Sequence, residues 1–357
     1  MTHRPRAVSL ISGGLDSLLA TRTVLDQGVH VEGINFYTGF CVEGHTHAIR
    51  EKDRRRPKRN NALWVAEQLG IRLHIIDIVE DYKDIVLHPR HGYGAHLNPC
   101  LDCKVFMLTR ARHWIEEHGF DFVITGEVVG QRPKSQLRHK LPVVQEQSGL
   151  GDRLVRPLSA KKLAPTLPER EGWLDRARLH DFAGRSRKPQ FALARAYGFE
   201  DFAQPAGGCC FLTDAAYSVK LRDLWQARGA RRYELDDIML LKVGRHIRPA
   251  PHFKLIVARE EGEGRFLQGY RTLYPSLATV SHGGPLALID GTPNEADLAL
   301  AARIVARYSQ GRRAPRVVRS ISNPRAGTGD QSRARASASA RASRTRASAA
   351  ASSGSTR

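Results

Sequence analysis

The feature that most restricts this chain is the turn Ser12-Gly13-Gly14-Leu15-Asp16-Ser17, set between an apolar run and a helical one. Residues 6–11 (RAVSLI) are rich in β formers. Residues 16–27 (DSLLATRTVLDQ) space their apolar side chains as a helix does, and Gly28 stands where a helix ends. A strand that runs through two glycines into a helix leaves the first N–H groups of that helix pointing outward, where an anion can lie. Ser12 and Ser17 add hydroxyl donors, and Asp16 is placed to hold Mg²⁺ against phosphates. The turn lacks the lysine of G-x-x-x-x-G-K-[ST], and it does not read G-x-G-x-x-G.

The alternation continues. Strands are expected at 29–37, 71–79, 120–125 and near 153–158, and helices at 60–69 and 104–118, closed by Gly70 and Gly119. A further helix is expected over 166–197, with Pro168 in its first turn, and a loop over 201–214. This order predicts an α/β fold of Rossmann-like type: a parallel sheet with helices on both faces and ligands at the carboxyl ends of its strands. From about residue 236 the pattern changes to short strands (IMLLKVG, HFKLIVA, PLALID) and a helix through 294–308. The expected organisation is a domain over 1–220, a smaller α+β domain over 236–318, and a disordered Arg/Ser/Ala tail over 323–357.

Lys plus Arg number 56 against 36 Asp plus Glu, a net charge of +20, so the expected partner is a polyanion, nucleic acid ahead of a membrane surface. Part of that charge is local, because residues 323–357 hold seven Arg and one Asp. Five cysteines in 357 residues do not make a disulfide framework. The first residues carry no apolar signal core, and no apolar run approaches the roughly 20 residues of a membrane span. The expectation is a soluble cytoplasmic protein with reduced thiols and no membrane partner.

The turn resembles the SGGxDS signature of the PP-loop ATP pyrophosphatases. The resemblance implies that Ser12, Gly13, Gly14, Leu15, Asp16 and Ser17 hold the pyrophosphate of ATP and its Mg²⁺ while a substrate oxygen attacks the α-phosphate. A second segment, Thr125-Gly126-Glu127-Val128-Val129-Gly130-Gln131 running on through Arg132-Pro133-Lys134-Ser135-Gln136, is similar to the TGExxGQxxSQ segment in the catalytic domain of 4-thiouridine synthases. It implies that Gly126 and Gln131 lie near the nucleotide. The likeness runs from the loop to about residue 215. It extends to a stand-alone group labelled tRNA (5-methylaminomethyl-2-thiouridylate)-methyltransferase, although no glycine-rich loop here suits S-adenosylmethionine.

The segment Asn98-Pro99-Cys100-Leu101-Asp102-Cys103-Lys104 sets a C-x-x-C just ahead of the 104–118 helix. The helix start is expected to lower a thiol pKa and make Cys103 a better nucleophile or ligand. Cys209 and Cys210 follow Pro205-Ala206-Gly207-Gly208 on a loop able to return over the sheet edge. Two mechanisms fit. Cys100, Cys103 and either Cys209 or Cys210 ligate a [4Fe–4S] cluster with one iron open, as in some thiolases of the superfamily. Otherwise one cysteine bears a persulfide that another resolves. The second cysteine of C-x-x-C favours the cluster. Zinc would need a fourth ligand from His91 or His96. Cys41, His45 and His47 are read as part of a polar loop, and the basic run 54–59 as a solvated loop or an RNA contact.

Together these imply an ATP-dependent tRNA sulfurtransferase. It would adenylate a base carbonyl and replace the oxygen with sulfur supplied by free sulfide or a carrier protein, with Asp16, Cys103, Cys209 and Cys210 as catalytic residues. The loop starts at residue 12, so no RNA-binding region is expected ahead of it. No cysteine follows Cys210, so no late rhodanese-like loop is expected either. The competing expectations are a PP-loop enzyme with a small-molecule acceptor, such as an amidotransferase or a deazapurine nitrile synthase, and a non-catalytic nucleotide-regulated RNA-binding protein.

Overall fold

The computed structural model describes residues 4–42, 59–133, 135–202, 209–280 and 282–310, and the backbone of 318–320. The expected tail over 323–357, His45, His47, residues 54–58 of the basic run, Lys134 and the 205–208 loop lie outside the described residues. Among the described residues no helix is long and apolar enough to cross a membrane. The chain divides into two compact units between Ser218 and Val219.

The first unit is built on five parallel strands, β1 (Arg6–Leu10), β2 (His30–Tyr37), β3 (Leu73–Asp77), β4 (Phe122–Ile124) and β5 (Leu154–Val155), in the order β3-β2-β1-β4-β5. Its central strands are buried on both faces, which is why Ala7, Val8, Phe122, Val123 and Ile124 are apolar without alternation. Helix α1 (Leu15–Leu25) joins β1 to β2. Helix α2 (Asn61–Leu69) precedes β3, with Asn60 Oδ1 accepting from the N–H groups of Ala62 and Leu63 and left-handed Gly70 closing it. After a short α3 (Lys83–Leu87), helix α4 (Cys100–His118) leads back to β4 on the other side of β1. The right-handed rule for parallel crossovers puts α4 on the face opposite α1 and α2. The direction of winding therefore reverses between β1 and β4, where this class of sheet opens a crevice at its carboxyl edge.

The long helix expected over 166–197 is broken up. Only α6 (Leu167–Arg170) and α7 (Lys188–Ala196) form, after α5 (Leu141–Gln147), with a 3₁₀ turn between them. Gly172 and Gly184 take left-handed φ of 71° and 82°, conformations a helix interior excludes.

The second unit carries an antiparallel sheet of β6 (Arg245–Ala250), β7 (Phe253–Val257), β8 (Ser276–Thr279), β9 (Ala287–Gly291) and β10 (Val318–Ser320), ordered β10-β8-β9-β7-β6. Its helices are the end of α8 (Ala215–Ala227), α9 (Leu235–Leu240), α10 (Glu261–Gln268) and α11 (Glu295–Arg307). The run expected as a strand at 238–244 begins inside α9. Glu234 and Asp237 cap that helix as a reciprocal pair, a signal the apolar run conceals. Lys254 is buried between Asp223 and Asp290, 3.5 and 3.7 Å away.

Candidate functional site

The loop after β1 is fixed by close packing. Gly13 has φ +78°, and a Cβ there would stand 2.7 Å from Asn61 Cβ and 2.9 Å from the Ala62 nitrogen. The loop can therefore lie against the start of α2 only as glycine. Gly14 caps α1 in an extended conformation with no side-chain acceptor, which leaves the first N–H groups of α1 available to an anion. Ser17 Oγ donates to the Gly14 carbonyl at 2.8 Å, and exposed Ser12 accepts from the Gly14 N–H at 3.4 Å. Both hydroxyls stand at the start of α1.

The segment after β4 meets this loop at the crevice. A Cβ on Gly126 would lie 2.5 Å from the Asp16 carbonyl carbon and 2.6 Å from the Ser17 nitrogen. Gly126 is thus a packing glycine that lets the first turn of α1 rest on it. Gln131 donates through Nε2 to Asp16 Oδ2 at 2.7 Å, and Gln190 of α7 donates to Gln131 Oε1 at 2.8 Å. Arg187, just ahead of α7, reaches Asp16 Oδ1 at 3.1 Å. Burial pushes the Asp16 carboxyl above its ordinary range, against the pull of Arg187, Gln131 and Arg132. The buried Nε of Arg187 has no hydrogen-bond partner among the described residues.

Glu127 turns the other way. It is 2% exposed and accepts from Arg156 Nε at 3.0 Å and from Thr125 at 3.2 Å; Lys104 Nζ stands 3.6 Å from its other oxygen. Burial opposes ionisation, but Lys104 and Arg156 outweigh it and hold the carboxyl below its ordinary range. Lys104 follows Cys103, so the motif after β4 is tied to the C-x-x-C.

Both Cys100 and Cys103 lie within the first turn of α4, one turn apart on the same face, rather than ahead of the helix. The loop leading to them is held by buried Asp102, which accepts from the His91 backbone at 3.1 Å and pairs with His91 Nδ1 at 2.9 Å. The Leu97 N–H donates to the Leu212 carbonyl at 3.3 Å, and the Phe211 N–H to the Phe40 carbonyl at 2.9 Å. Residues 209–213 are thereby held between the end of β2 and the C-x-x-C loop, and the thiols of Cys100, Cys103, Cys209 and Cys210 influence one another.

The expected activation of Cys103 by the helix start is not found. Burial pushes its thiol up to about 12, the neighbouring Cys209 adds to this, and a hydrogen bond with buried Tyr82 only partly offsets it. The depressed thiol is Cys209: the hydrogen bond with Cys210 lowers it, followed by the cations of Arg132 and Lys104. Cys210 is correspondingly raised. Arg132 thus acts on Cys209 and also on Asp16.

Among the described residues no three His, Cys, Asp or Glu side chains are arranged to hold a single metal ion, and His91, one suggested fourth zinc ligand, is engaged by Asp102. For a [4Fe–4S] cluster the relevant observation is the donor set, three mutually influencing thiols with soft sulfur. Sequence reasoning missed Arg187 and Gln190, which stand in no recognised motif, and Tyr82. Arg132 and Lys104 lay inside the quoted segments, where their charge was the available signal.

Residues 3–162 match the family described as Thiamine biosynthesis protein (ThiI), and residues 244–342 match the NFACT protein RNA binding domain. A tRNA-specific 2-thiouridylase MnmA of a Roseiflexus species is 27% identical over 252 residues, 66% of this chain and 65% of that one. The MnmA of Pelobacter propionicus is 29% identical over 126 residues, 32% of this chain and 31% of that one. The chain thus spans about a third to just under two thirds of these relatives. A solved 4-thiouridine synthetase–RNA complex with bound ATP is 26% identical, covering 44% of this chain and 37% of that one with a TM-score of 0.34. The first unit resembles the PP-loop ATP pyrophosphatase domains of tRNA thiolases, and a region similar to an RNA-binding domain follows it.

Proposed function

We propose that this protein is an ATP-dependent sulfurtransferase that acts on a base of tRNA in the cytoplasm. The observation that supports the reading best is that the segment after β4 meets both motifs: Gln131 donates to Asp16 Oδ2 at 2.7 Å, and Glu127 stands 3.6 Å from Lys104, the residue after Cys103. A nucleotide loop and a set of thiols joined through one segment suit a reaction in which activation by ATP is followed by attack of sulfur.

The carbonyl oxygen of a base is a poor leaving group. Transfer of AMP to it from ATP turns it into a good one. The open N–H groups at the start of α1, with Ser12 and Ser17, would receive the pyrophosphate, and Arg187 would turn from Asp16 to the phosphate charge. Mg²⁺ on Asp16 would offset the charge of the transferred group. Sulfur handled by Cys100, Cys103, Cys209 and Cys210 then attacks the activated carbon, and AMP departs. Catalytic roles fall to Asp16, Cys103, Cys209 and Cys210, with Ser12, Gly13, Gly14, Leu15 and Ser17 around the nucleotide. Gly126 and Gln131 support the loop and Asp16 respectively. Three thiols from Cys100, Cys103 and Cys209 suit a [4Fe–4S] cluster; these residues would hold it, and it would supply sulfur in activated form. A donor protein or free sulfide supplies the sulfur.

We assign catalysis to the domain over 1–220 and RNA binding to the domain over 236–318, assisted by the basic residues 323–357. The likeness of 244–342 to an RNA-binding domain supports the second assignment.

The test is to follow labelled ATP with bulk tRNA. The reading expects AMP and pyrophosphate, formed only when tRNA is present, and a new thionucleoside by mass spectrometry. ADP and orthophosphate would overturn it, and AMP formed with a small-molecule acceptor alone would transfer the chemistry to that acceptor. Anaerobic purification tests the cluster: a brown protein with iron and sulfide supports it, and a colourless active one removes it.

A further inference from the structure

Among the described residues Tyr308 is the one aromatic side chain left exposed, at 38%. It follows directly on α11, and its N–H donates back to the Val305 carbonyl at 3.0 Å, so the helix end fixes its backbone. A single ring in water needs no explanation by itself, but its neighbours do. The Arg245 guanidinium, at the first residue of β6, lies over the ring, 4.9 Å from its centroid. Arg259 donates to the carbonyl of Gly244, the residue before Arg245, at 2.7 Å. Arg303 and Arg307 stand one turn apart on α11, the second of them next to Tyr308. All four arginines are exposed, and among the described residues none pairs with a carboxylate. Arg228, Arg248 and Arg265 of the same unit are instead held by Asp237, Asp223 and Glu261.

These features select a ligand. Like charges left without counter-ions repel one another, and a polyanion relieves them. An exposed ring that already carries a guanidinium offers its remaining surface to a second flat group. In a duplex the bases are stacked on each other, so only an unpaired base can lie on a side-chain ring. We propose that Tyr308 and Arg245 form a stacking platform for an unpaired base of RNA, with Arg259, Arg303 and Arg307 on the adjoining phosphates. The proposal rests on the assignment of RNA binding to this unit, and it adds which surface is used and that the strand there is single. Stacking is blind to the identity of the base, because every base has a flat face. The platform therefore holds the RNA in place and leaves the choice of nucleotide to other contacts.

The experiment uses the full chain and two fluorescent probes, an oligouridylate of about 12 nucleotides and an RNA duplex of the same length, read by anisotropy across a salt series. Tyr308→Ala should weaken binding of the oligouridylate by about tenfold or more, the loss expected when one base no longer stacks, and should leave the duplex unchanged. Tyr308→Phe keeps the ring and should bind both probes as the wild type does. Arg307→Gln should flatten the log–log salt slope on the single strand by about 0.7, the share of one phosphate. Arg265→Gln is the control, because Glu261 already holds that cation, and its slope should not move. Tyr308→Ala that binds the oligouridylate like the wild type, or that loses both probes equally, would overturn the platform. A salt slope equally unmoved by Arg307→Gln and Arg265→Gln would remove the phosphate contact at Arg307, and that measurement does not depend on Tyr308. A wild type that binds neither probe would take the RNA assignment down as well, whereas binding that survives Tyr308→Ala sinks the platform alone.

Discussion

Replacing Gly126 with alanine tests the packing of the two motifs at the crevice. The added methyl would stand 2.5 Å from the Asp16 carbonyl carbon and 2.6 Å from both the Asp16 oxygen and the Ser17 nitrogen. All three atoms are backbone, so no side chain can swing aside. To reach the 3.4 Å at which ordinary van der Waals separation begins, the first turn of α1 or the segment after β4 must shift by about 0.9 Å. Overpacking of this kind costs about 1–3 kcal/mol. In a unit of this size that lowers Tm by about 2–12 °C. The functional cost should be larger, because the part that moves carries the phosphate site, and a misplacement of about 1 Å can cost a hundredfold in rate. Pyrophosphate release at saturating and limiting ATP, with thermal melting, measures both. Gly172→Ala is the control, since Gly172 has the unfavourable φ of +71° but nothing within 4 Å of its Cβ direction. It should lose stability and keep activity. If Gly126→Ala lost no more activity than Gly172→Ala, the idea that Gly126 seats the phosphate loop would be wrong.

Other outcomes follow from the buried charges and thiols. Glu127→Gln leaves Lys104 and Arg156 without their carboxylate and should cost about 3 kcal/mol in urea unfolding. Because the folded Glu127 is held below its ordinary range, its contribution is complete above the unfolded pKa near 4.5 and is lost as pH falls through the folded value. The variant should therefore show a flatter acid limb than the wild type, and parallel limbs would count against the assignment. At neutral pH iodoacetamide should label Cys209 ahead of Cys103, and Arg132→Gln should move the labelling midpoint of Cys209 upward; peptide mapping that finds Cys103 labelled as fast would refute the ordering. Removing residues 323–357 should weaken RNA binding, with the log–log salt slope flattening by about 0.7–0.9 for each phosphate that is no longer neutralised. An unchanged slope would exclude that segment from the RNA interface.

The strands at 29–37, 71–79 and 120–125 could be read from the sequence because central parallel strands are apolar on both faces and sit between helices that glycines terminate. The turn between β1 and α1 was legible because its glycines are required by backbone geometry, which local sequence records. Four parts were not. Helix α9 ends in an apolar run that periodicity cannot separate from a strand, and the broken path from Leu167 to Ala196 depends on two left-handed glycines that a helical pattern tolerates on paper. The charge state of Cys103 was misjudged because burial within the fold outweighs a local helix effect. The antiparallel bridge that pairs Cys41 with Cys210 joins positions 169 residues apart, and nothing local in either segment announces it.

The carboxylate of Glu127 has one more implication. It binds a lysine from the helix of the C-x-x-C and an arginine from the end of β5 at once. Substitutions at Lys104 and Arg156 should then fail to add, because after either one the shared anion still has the other cation, and only the second removal strands it. A mutational survey that scored these positions one at a time would miss that second loss.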